Sequence, residues 1–388
     1  MKARFFFSWL AAAALGIFGC DTLNAKELAD DIATIQAVGP EGAGNAAAAT
    51  AFESLSAADT AAIVPLLRAI EAGNPLARNW LRSAIEVIVE RELKAGKSLP
   101  MTELRAFALD RTQAPEARRL AFDLMAAIDA AAAGTLVPGF IDDPATELRR
   151  DAVAQLITKG RTLAEGPDPS KAIAIYRMAL DAARDVDQIK TIATALTKKL
   201  GQQVDLPRHF GFLTRWHVIG PFDNSGRRGF AAAYPPEEKV DLAATHQGKE
   251  GAELTWQQVN STNPYGTVDL NGPLGKQKEV TGYAYTEFLA DKARPAELRL
   301  GCKNAWKVWF NGELIFERDE YHRGQRIDQY KMPVQLKKGS NSILVKLCQC
   351  ERTEKWTVEW EFQLRVCDAT GTAILAADRP DTDAKSGT

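Results

Sequence analysis

The stretch AWKVWFNGELIF (residues 305–316) decides how the second half of this 388-residue chain is interpreted. Asn311-Gly312 between two apolar runs predicts a two-residue hairpin turn, because a type I′ turn needs positive φ at both central positions. Direct pairing gives each face a tryptophan and apolar partners: Trp306, Val308 and Ile315 on one, Trp309, Leu314 and Phe316 on the other. A sheet with one face exposed to solvent would carry polar residues on that face, whereas here both faces carry large apolar residues. We expect the second face to be covered, by the helical half or by residues 222–283, with an open ligand surface as the alternative.

Outward from the hairpin, apolar residues after Gly201 recur at every second position, which predicts strands. In WTVEWEFQLRV (residues 356–366) the alternation places one set on a single buried face: Trp356, Val358, Trp360, Phe362, Leu364 and Val366. Further strands are predicted at residues 216–219, 283–288, 297–300, 329–336 and 342–350. Pro333 indicates that its strand lies at an edge, since proline cannot donate to a sheet. Many short strands without intervening helices predict an antiparallel β-sandwich.

A resemblance supports this interpretation. The order of an N-G hairpin, a loop and VQLKKGSNSILVKL resembles the jelly-roll sandwich of galactose-binding-like domains, including the sugar-binding module of family 2 glycosidases. The matching positions are Asn311, Gly312, Leu336, Lys337, Gly339, Asn341, Ile343 and Val345. They are turn and core residues within about residues 211–377. The resemblance therefore implies the fold, and a carbohydrate ligand only as an expectation.

The N-terminal half has a different period. From about residue 46 to 200 apolar residues recur at helical spacing, as at Ile63, Leu66, Leu67 and Ile70. Segments such as GNPLARNWLRSAIEVI resemble HEAT repeats, and residues 169–196 resemble a tetratricopeptide-like helix pair. A plain irregular helical bundle is the alternative. RWHVIGPFDN, together with these helices, also resembles exported multidomain proteins of planctomycete-type bacteria. The expected fold class is therefore multidomain α plus β, with helical repeats before the sandwich.

The N-terminus predicts export. Lys2 and Arg4 precede an apolar stretch at residues 5–18, which is too short to span a bilayer. Residues 17–20 resemble a bacterial lipobox, so we expect cleavage before Cys20 and its lipidation. Cleavage near Ala25 without a lipid and an uncleaved anchor are the alternatives. We expect a protein of the periplasm or cell envelope that meets the membrane only through its lipid anchor.

These patterns divide the chain. We expect a leader at residues 1–25, a tether and first helix at 26–58, helical repeats at 59–200, the sandwich at 201–377 and a disordered tail at 378–388. The formal net charge is −2, with no broad positive field, which argues against nucleic-acid partners.

Four cysteines lie in the last quarter of the chain: Cys302, Cys348, Cys350 and Cys367. An oxidising compartment favours disulfides, and buried thiols are the alternative. Cys348 and Cys350 are two apart on a predicted strand, so they share a face and are poorly placed to bond each other. The sequence has no C-x-x-C and only four histidines, so no metal site is predicted.

Two polar loops beside predicted strands, GPFDNSGRRGF (220–230) and RDEYHRGQRID (318–328), form the candidate site, since sandwich modules bind through loops. The proposed ligand-binding residues are Asp223, Asn224, Asp319, Glu320, Tyr321, His322, Arg323 and Asp328. The aromatic rings could stack on a sugar, and the carboxylates could bind its hydroxyls or a structural calcium ion. No other cofactor is expected. The alternative is a self-satisfied loop in which Arg323 or Arg326 pairs with Glu320 or Asp328.

No catalytic motif was found, because G-x-S-x-G and H-E-x-x-H are absent. We therefore expect a non-enzymatic envelope protein whose sandwich engages a glycan or another surface component. The first alternative is a scaffold whose helical repeats bind a protein partner while the sandwich is structural. The second is an accessory subunit of a polysaccharide-degrading complex.

Overall fold

The computed structural model describes residues 25–72 and 74–379. The predicted export signal with Cys20, and the predicted tail from residue 380 onward, lie outside the described residues. Helical periodicity in the first half produces helices at the predicted places. Their bounds are α1 Ala25–Gln36, α2 Asn45–Ala57, α3 Ile63–Ala72, α4 Pro75–Lys94, α5 Met101–Leu109, α6 Pro115–Ile128, α7 Ala130–Gly134, α8 Thr146–Ala164, α9 Ser170–Ala182, α10 Val186–Thr194 and α11 Leu206–Phe210. The predicted fold class, helices followed by antiparallel sheets, is confirmed.

Local capping explains where the long helix α4 begins. The Asn74 side-chain oxygen accepts hydrogen bonds from the N–H groups of Leu76 and Ala77, at 2.9 and 2.8 Å. Pro75 at the first position loses no hydrogen bond there. In the alanine-rich segment expected to be a tether, α2 forms instead and buries Ala48 and Leu55, because alanine is the strongest helix former.

By its internal contacts the chain separates into two compact units, Met1–Leu148 and Arg149–Thr388. This division lies earlier than the change in sequence period near residue 200, because most of α8 and all of α9–α11 group with the sandwich. Arg184 after α9 donates to the Thr372 hydroxyl at 2.9 Å, and Arg365 donates to the Phe210 carbonyl at 3.0 Å. Sequence period and physical contact therefore mark different boundaries.

Within the described residues of the second unit, two antiparallel sheets face each other. The six-stranded sheet has the order β4-β1-β6-β11-β8-β9, and the four-stranded sheet has the order β10-β7-β12-β5. The short strands β2 and β3 pair separately. The bounds are β1 Arg215–Asp223, β2 His246–Gln247, β3 Glu253–Leu254, β4 Gln257–Asn260, β5 Val268–Asp269, β6 Val280–Ala290, β7 Arg294–Cys302, β8 Ala305–Phe310, β9 Glu313–Arg318, β10 Tyr330–Leu336, β11 Gly339–Gln349 and β12 Glu361–Cys367.

The core lies between these two sheets and is built from the predicted alternation. The inward residues of the six-stranded sheet include Trp216, Trp306 and Val345, and those of the four-stranded sheet include Leu300 and Phe362. Each of them is essentially inaccessible to solvent. Burial of this apolar surface from two sheets is the main stabilising term of the sandwich. The structure thus has the predicted sandwich.

The hairpin of β8 and β9 turns at Asn311-Gly312 as predicted, with φ of 51° and 87°. Its register differs from direct pairing beyond Leu314, because a bulge shifts Val308 opposite Phe316 instead of Ile315. The extra residue turns the Phe316 ring toward the core, where it stacks on Trp306 with centroids 5.5 Å apart. The prediction that Phe316 shares the outer face with Trp309 is therefore wrong.

The outer face of the six-stranded sheet is covered. Trp309 is only 8% exposed and belongs to an apolar cluster with Phe222 and Tyr283. The cover comes from the segment between β1 and β6, which contributes Tyr234 and Trp256. Lys346 of β11 binds this covering segment to the sheet. Its ammonium group donates hydrogen bonds to the carbonyls of Phe230 and Ala232 and to the carboxylate of Glu237. Leu314, near the turn, stays 47% exposed.

Two further expectations about strands have opposite outcomes. Pro333 lies on β10, which is an edge of the four-stranded sheet, as predicted.

The strand predicted at residues 356–366 begins only at Glu361, and Lys355–Thr357 form a 3₁₀ turn. Trp356 and Val358 are therefore exposed rather than buried. The alternating pattern gave a wrong prediction for these two residues because a 3₁₀ turn and three residues outside any strand precede β12.

Candidate functional site

Antiparallel pairing brings several loops to one end of the sandwich. The ends of β1, β9 and β11 and the starts of β6 and β8 lie there together. Between these loops is an open cleft of about 340 Å³. Part of its lining was predicted from the sequence: Asp319, Glu320, Tyr321, His322 and Arg323. The rest is Arg227 from the other predicted loop, with Arg352 and Trp356, which the sequence reasoning did not assign to a site.

Tyr321 joins the two predicted loops. Its hydroxyl accepts a hydrogen bond from the buried Asn224 amide at 3.2 Å, and the same amide donates to the Gln349 carbonyl at 2.9 Å. The Arg227 guanidinium lies over the Tyr321 ring, 5.0 Å from its centroid. Burial raises the pKa of the Tyr321 hydroxyl. Tyr321 is therefore a neutral, half-buried wall of the cleft, and Asn224 supports it from below.

His322 and Trp356 form the aromatic part of the cleft. Their rings meet edge to face with centroids 5.0 Å apart. His322 Nε2 lies 3.0 Å from the thiol of buried Cys350. Burial, followed by the positive charge of Arg352, lowers the pKa of His322. The imidazole is thus held in its neutral form, and the exposed indole of Trp356 stands beside it.

Buried amides fix the loop at residues 351–360, which carries Trp356. The Gln349 side chain is inaccessible and donates to the Thr357 carbonyl at 3.1 Å. The Asn304 amide donates to the Glu359 carbonyl at 3.2 Å, and Lys278 donates to the Thr357 carbonyl at 2.8 Å. Because its carbonyls are bonded to the sandwich beneath, this loop presents Trp356 from a defined backbone.

The three arginines of the cleft differ in whether they form an ion pair with a carboxylate. Arg227 forms a two-pronged ion pair with Glu351, at 2.6 and 3.0 Å, which lowers the pKa of that carboxyl to about 2. Arg323 lies 3.5 Å from Glu320, which is one of the pairings expected for a self-satisfied loop. No carboxylate lies within ion-pair distance of Arg352 in residues 25–72 and 74–379; its guanidinium is 6.0 Å from the Trp356 ring centroid. The loop is thus only partly self-satisfied.

Three predicted ligand residues do not line the cleft: Asn224, which is buried beneath Tyr321, and Asp328 and Asp223. Asp328 is enclosed by Arg299 and Arg365 of the four-stranded sheet, with oxygen–nitrogen distances of 2.5 to 2.8 Å. These contacts make it a structural counter-ion, and it is not among the residues that line the cleft. Asp223 accepts hydrogen bonds from the amide and hydroxyl of Ser225, so it stabilises its own turn. Asp328 therefore makes long-range contacts and Asp223 makes local ones. The polar character of a loop residue does not show whether it makes such contacts or faces a ligand.

The four C-terminal cysteines are free and buried in the structure: Cys302, Cys348, Cys350 and Cys367. The disulfide expectation is corrected accordingly, and the alternative of buried thiols describes them. Their strands place the thiols in separate environments. Cys302 lies in the core between the two sheets. Cys348 contacts Thr281 on the outer face of the six-stranded sheet.

The described part of the chain lacks both a metal-binding cluster and a membrane-spanning helix. No three His, Cys, Asp or Glu side chains there are grouped so that they could hold a metal ion. Across the same residues, no helix combines the length and apolar character needed to cross a membrane.

No protein-family model and no curated protein matches the chain. Among solved structures, a family 35 carbohydrate binding module from Clostridium thermocellum is 13% identical, covers 23% of this chain and 72% of the module, and has a TM-score of 0.17. Two structures of Beta-glucosidase from Kluyveromyces marxianus, Se-Met labelled and in complex with glucose, are 10% and 11% identical and cover 78% and 80% of this chain. Their TM-score is 0.26, and this chain spans 38% of their length. Similarity at this level carries no argument about function, so the site must be judged on its own geometry.

Proposed function

We propose that this chain is an exported, non-enzymatic binding protein of the cell envelope whose sandwich binds a glycan in the Trp356 cleft. The observation that carries the proposal is Trp356 itself: a tryptophan 55% exposed on a loop whose backbone is tied to buried amides. The fixed loop holds this ring in the lining of the cleft, beside the ring of His322, where a ligand can contact it.

The cleft offers what a sugar ring requires. An indole face packs against the apolar C–H face of a pyranose, while surrounding polar groups bind its hydroxyls. Asp319 and Glu320 supply acceptors, and Arg323 and Arg352 supply donors. The Tyr321 hydroxyl, which is held by Asn224, adds a further polar group. The cleft is open to solvent, as binding to part of a longer polymer would need.

The test is glycan binding by the full chain, first on a broad oligosaccharide array and then by calorimetry, with and without calcium. We expect saturable binding that Trp356→Ala weakens by about tenfold or more, as for aromatic anchors in other interfaces. Leu314→Ala is the matched control, because it also removes an exposed apolar side chain but lies outside the cleft. It should bind like the unmodified chain.

The proposal fails if no oligosaccharide gives saturable binding in either condition. It also fails if Trp356→Ala and Leu314→Ala bind equally well, since the cleft would then not be the site. Thermal unfolding of both variants would check that each remains folded.

A further inference from the structure

We infer that the ligand of the Trp356 cleft is an anionic glycan, whose carboxylate or sulfate group is bound by Arg352. This inference rests on the proposed function and specifies its ligand class. It is based on the difference between Arg352 and the other two arginines of the cleft.

Arg227 and Arg323 already have carboxylate partners, Glu351 and Glu320. Arg352 has none among the residues that the structure describes, although it stands in a region crowded with charge. A guanidinium is planar and presents parallel N–H donors that match a carboxylate or sulfate. Arg352 is therefore the one cleft arginine that can take up a ligand anion without breaking an existing ion pair.

Neighbouring groups place the anion beside Trp356. The Arg352 guanidinium lies 6.0 Å from the indole centroid, so one sugar can stack on the ring and direct its acidic group to the arginine. The positive charges of Arg352, Lys278 and Arg227 lower the pKa of His322, whereas Glu354 raises it, so cations outnumber anions among the charges that act on this ring.

The single unpaired acid of the described cleft lining, Asp319, acts electrostatically on Tyr321 and Cys348. A ligand with its anion at Arg352 would therefore place its hydroxyls toward Asp319, which can accept their hydrogen bonds. The opposite orientation would bring two negative charges together. The cleft thus distinguishes an acidic sugar from a neutral one by orientation and by charge.

The test measures binding of three oligosaccharides of equal length to the full chain: a neutral one, a uronic-acid one and a sulfated one. We expect at least one acidic form to bind about tenfold or more tightly than the neutral form at low salt. The preference should shrink at 0.5 M salt, because screening weakens exposed ionic contacts. The carboxylate and sulfate arms decide which anion is recognised.

Arg352→Gln should remove most of the acidic preference, so it should weaken binding of the acidic oligosaccharide much more than binding of the neutral one. Arg352→Lys should keep part of the preference, because it keeps the charge but loses the planar fork. Arg105→Gln removes the same charge from an exposed position on α5, outside the cleft, and should change neither binding nor the acidic preference. Because Arg352 is exposed, these variants should unfold at unchanged temperatures.

Each result is informative. Equal binding of neutral and acidic forms overturns the anionic inference and leaves the glycan proposal standing. A preference that persists in Arg352→Gln overturns the assignment to Arg352. Absence of binding to all three forms and to the broader array overturns both.

Discussion

Replacing Asp328 by asparagine should destabilise the sandwich by about 3 kcal/mol. The carboxylate accepts three hydrogen bonds, two from Arg365 and one from Arg299. Both guanidinium groups are buried, with side-chain exposures of 2% and 6%. Removing one partner of a buried ion pair typically costs about 3 to 5 kcal/mol, because the remaining charge is uncompensated.

The lower end of that range applies for three structural reasons. Arg299 retains Glu297, Arg365 retains the carbonyls of Phe210 and Gly371, and an asparagine oxygen still accepts one hydrogen bond. Asparagine also tolerates the φ of 60° at this position, so the backbone contributes no penalty. For a unit of this size about 3 kcal/mol corresponds to a loss of roughly 6 to 12 °C in Tm.

Calorimetry and urea unfolding of the full chain give the measurement. Asp187→Asn is the matched control, since Asp187 also forms a two-pronged pair with an arginine, at 2.6 and 2.8 Å, but is 66% exposed. That change should cost less than about 1 kcal/mol. Equal losses in the two variants would refute the reasoning, because they would show that burial of the ion cluster is not what makes Asp328 important.

The same prediction has a pH dependence. Burial tends to raise the pKa of Asp328, but the hydrogen bonds and charges of Arg365 and Arg299 outweigh it and hold that pKa below its usual value. The carboxylate therefore stabilises the fold above its unfolded pKa, near 4, and this contribution is lost as pH falls through the lower, folded value. The stability gap between the unmodified chain and Asp328→Asn should be constant from pH 7 to about 4.5 and narrow below it.

The bulge in the hairpin predicts unequal effects of two neighbouring substitutions. Phe316→Ala should cost about 2 kcal/mol, because its half-buried ring stacks on Trp306, whereas Leu314→Ala should stay within about 0.5 kcal/mol. Urea unfolding distinguishes this from direct pairing, which would make the two losses comparable. Reducing agent should leave Tm unchanged, and thiol reagents should react with the native chain slowly, because burial raises the pKa of Cys302 to about 12 and those of two others to about 11: Cys348 and Cys367. A disulfide found by peptide mapping would contradict the buried-thiol description.

Local chemistry made much of this fold predictable. The Asn311-Gly312 turn, the edge position of Pro333 and the start of α4 at Pro75 each depend on a few adjacent residues. The bulge beyond Leu314 was not predictable, because the apolar residues at 314–316 satisfy either register. Trp356 was assigned to a buried face because its spacing matched that of Trp360, although buried amides from elsewhere in the chain hold it in a turn.

The candidate site was also predictable only where adjacent residues determine the structure. Polar loops next to strands identified the residues at 319–323, and antiparallel topology then brought Arg227 beside them. Asp328 belongs to the same loop, but its partners Arg299 and Arg365 lie on strands 29 and 37 residues away. Nothing local distinguishes a carboxylate that faces a cleft from one that faces a buried arginine. The signal available for Trp356 was the charged run before it, residues 351–355, which is unusual for the start of a core strand.

The buried amides under the loop at residues 351–360 also have a thermodynamic consequence. Ordering a loop of this length costs about 1 to 2 kcal/mol of conformational entropy per residue. Here that loss occurs when the chain folds, since Gln349 and Asn304 bind the loop carbonyls whether or not anything occupies the cleft. A molecule that docks on Trp356 has only a few exposed side chains to immobilise. Differences in affinity among such molecules should therefore reflect their direct contacts with the cleft, and not the ease with which they rearrange the protein.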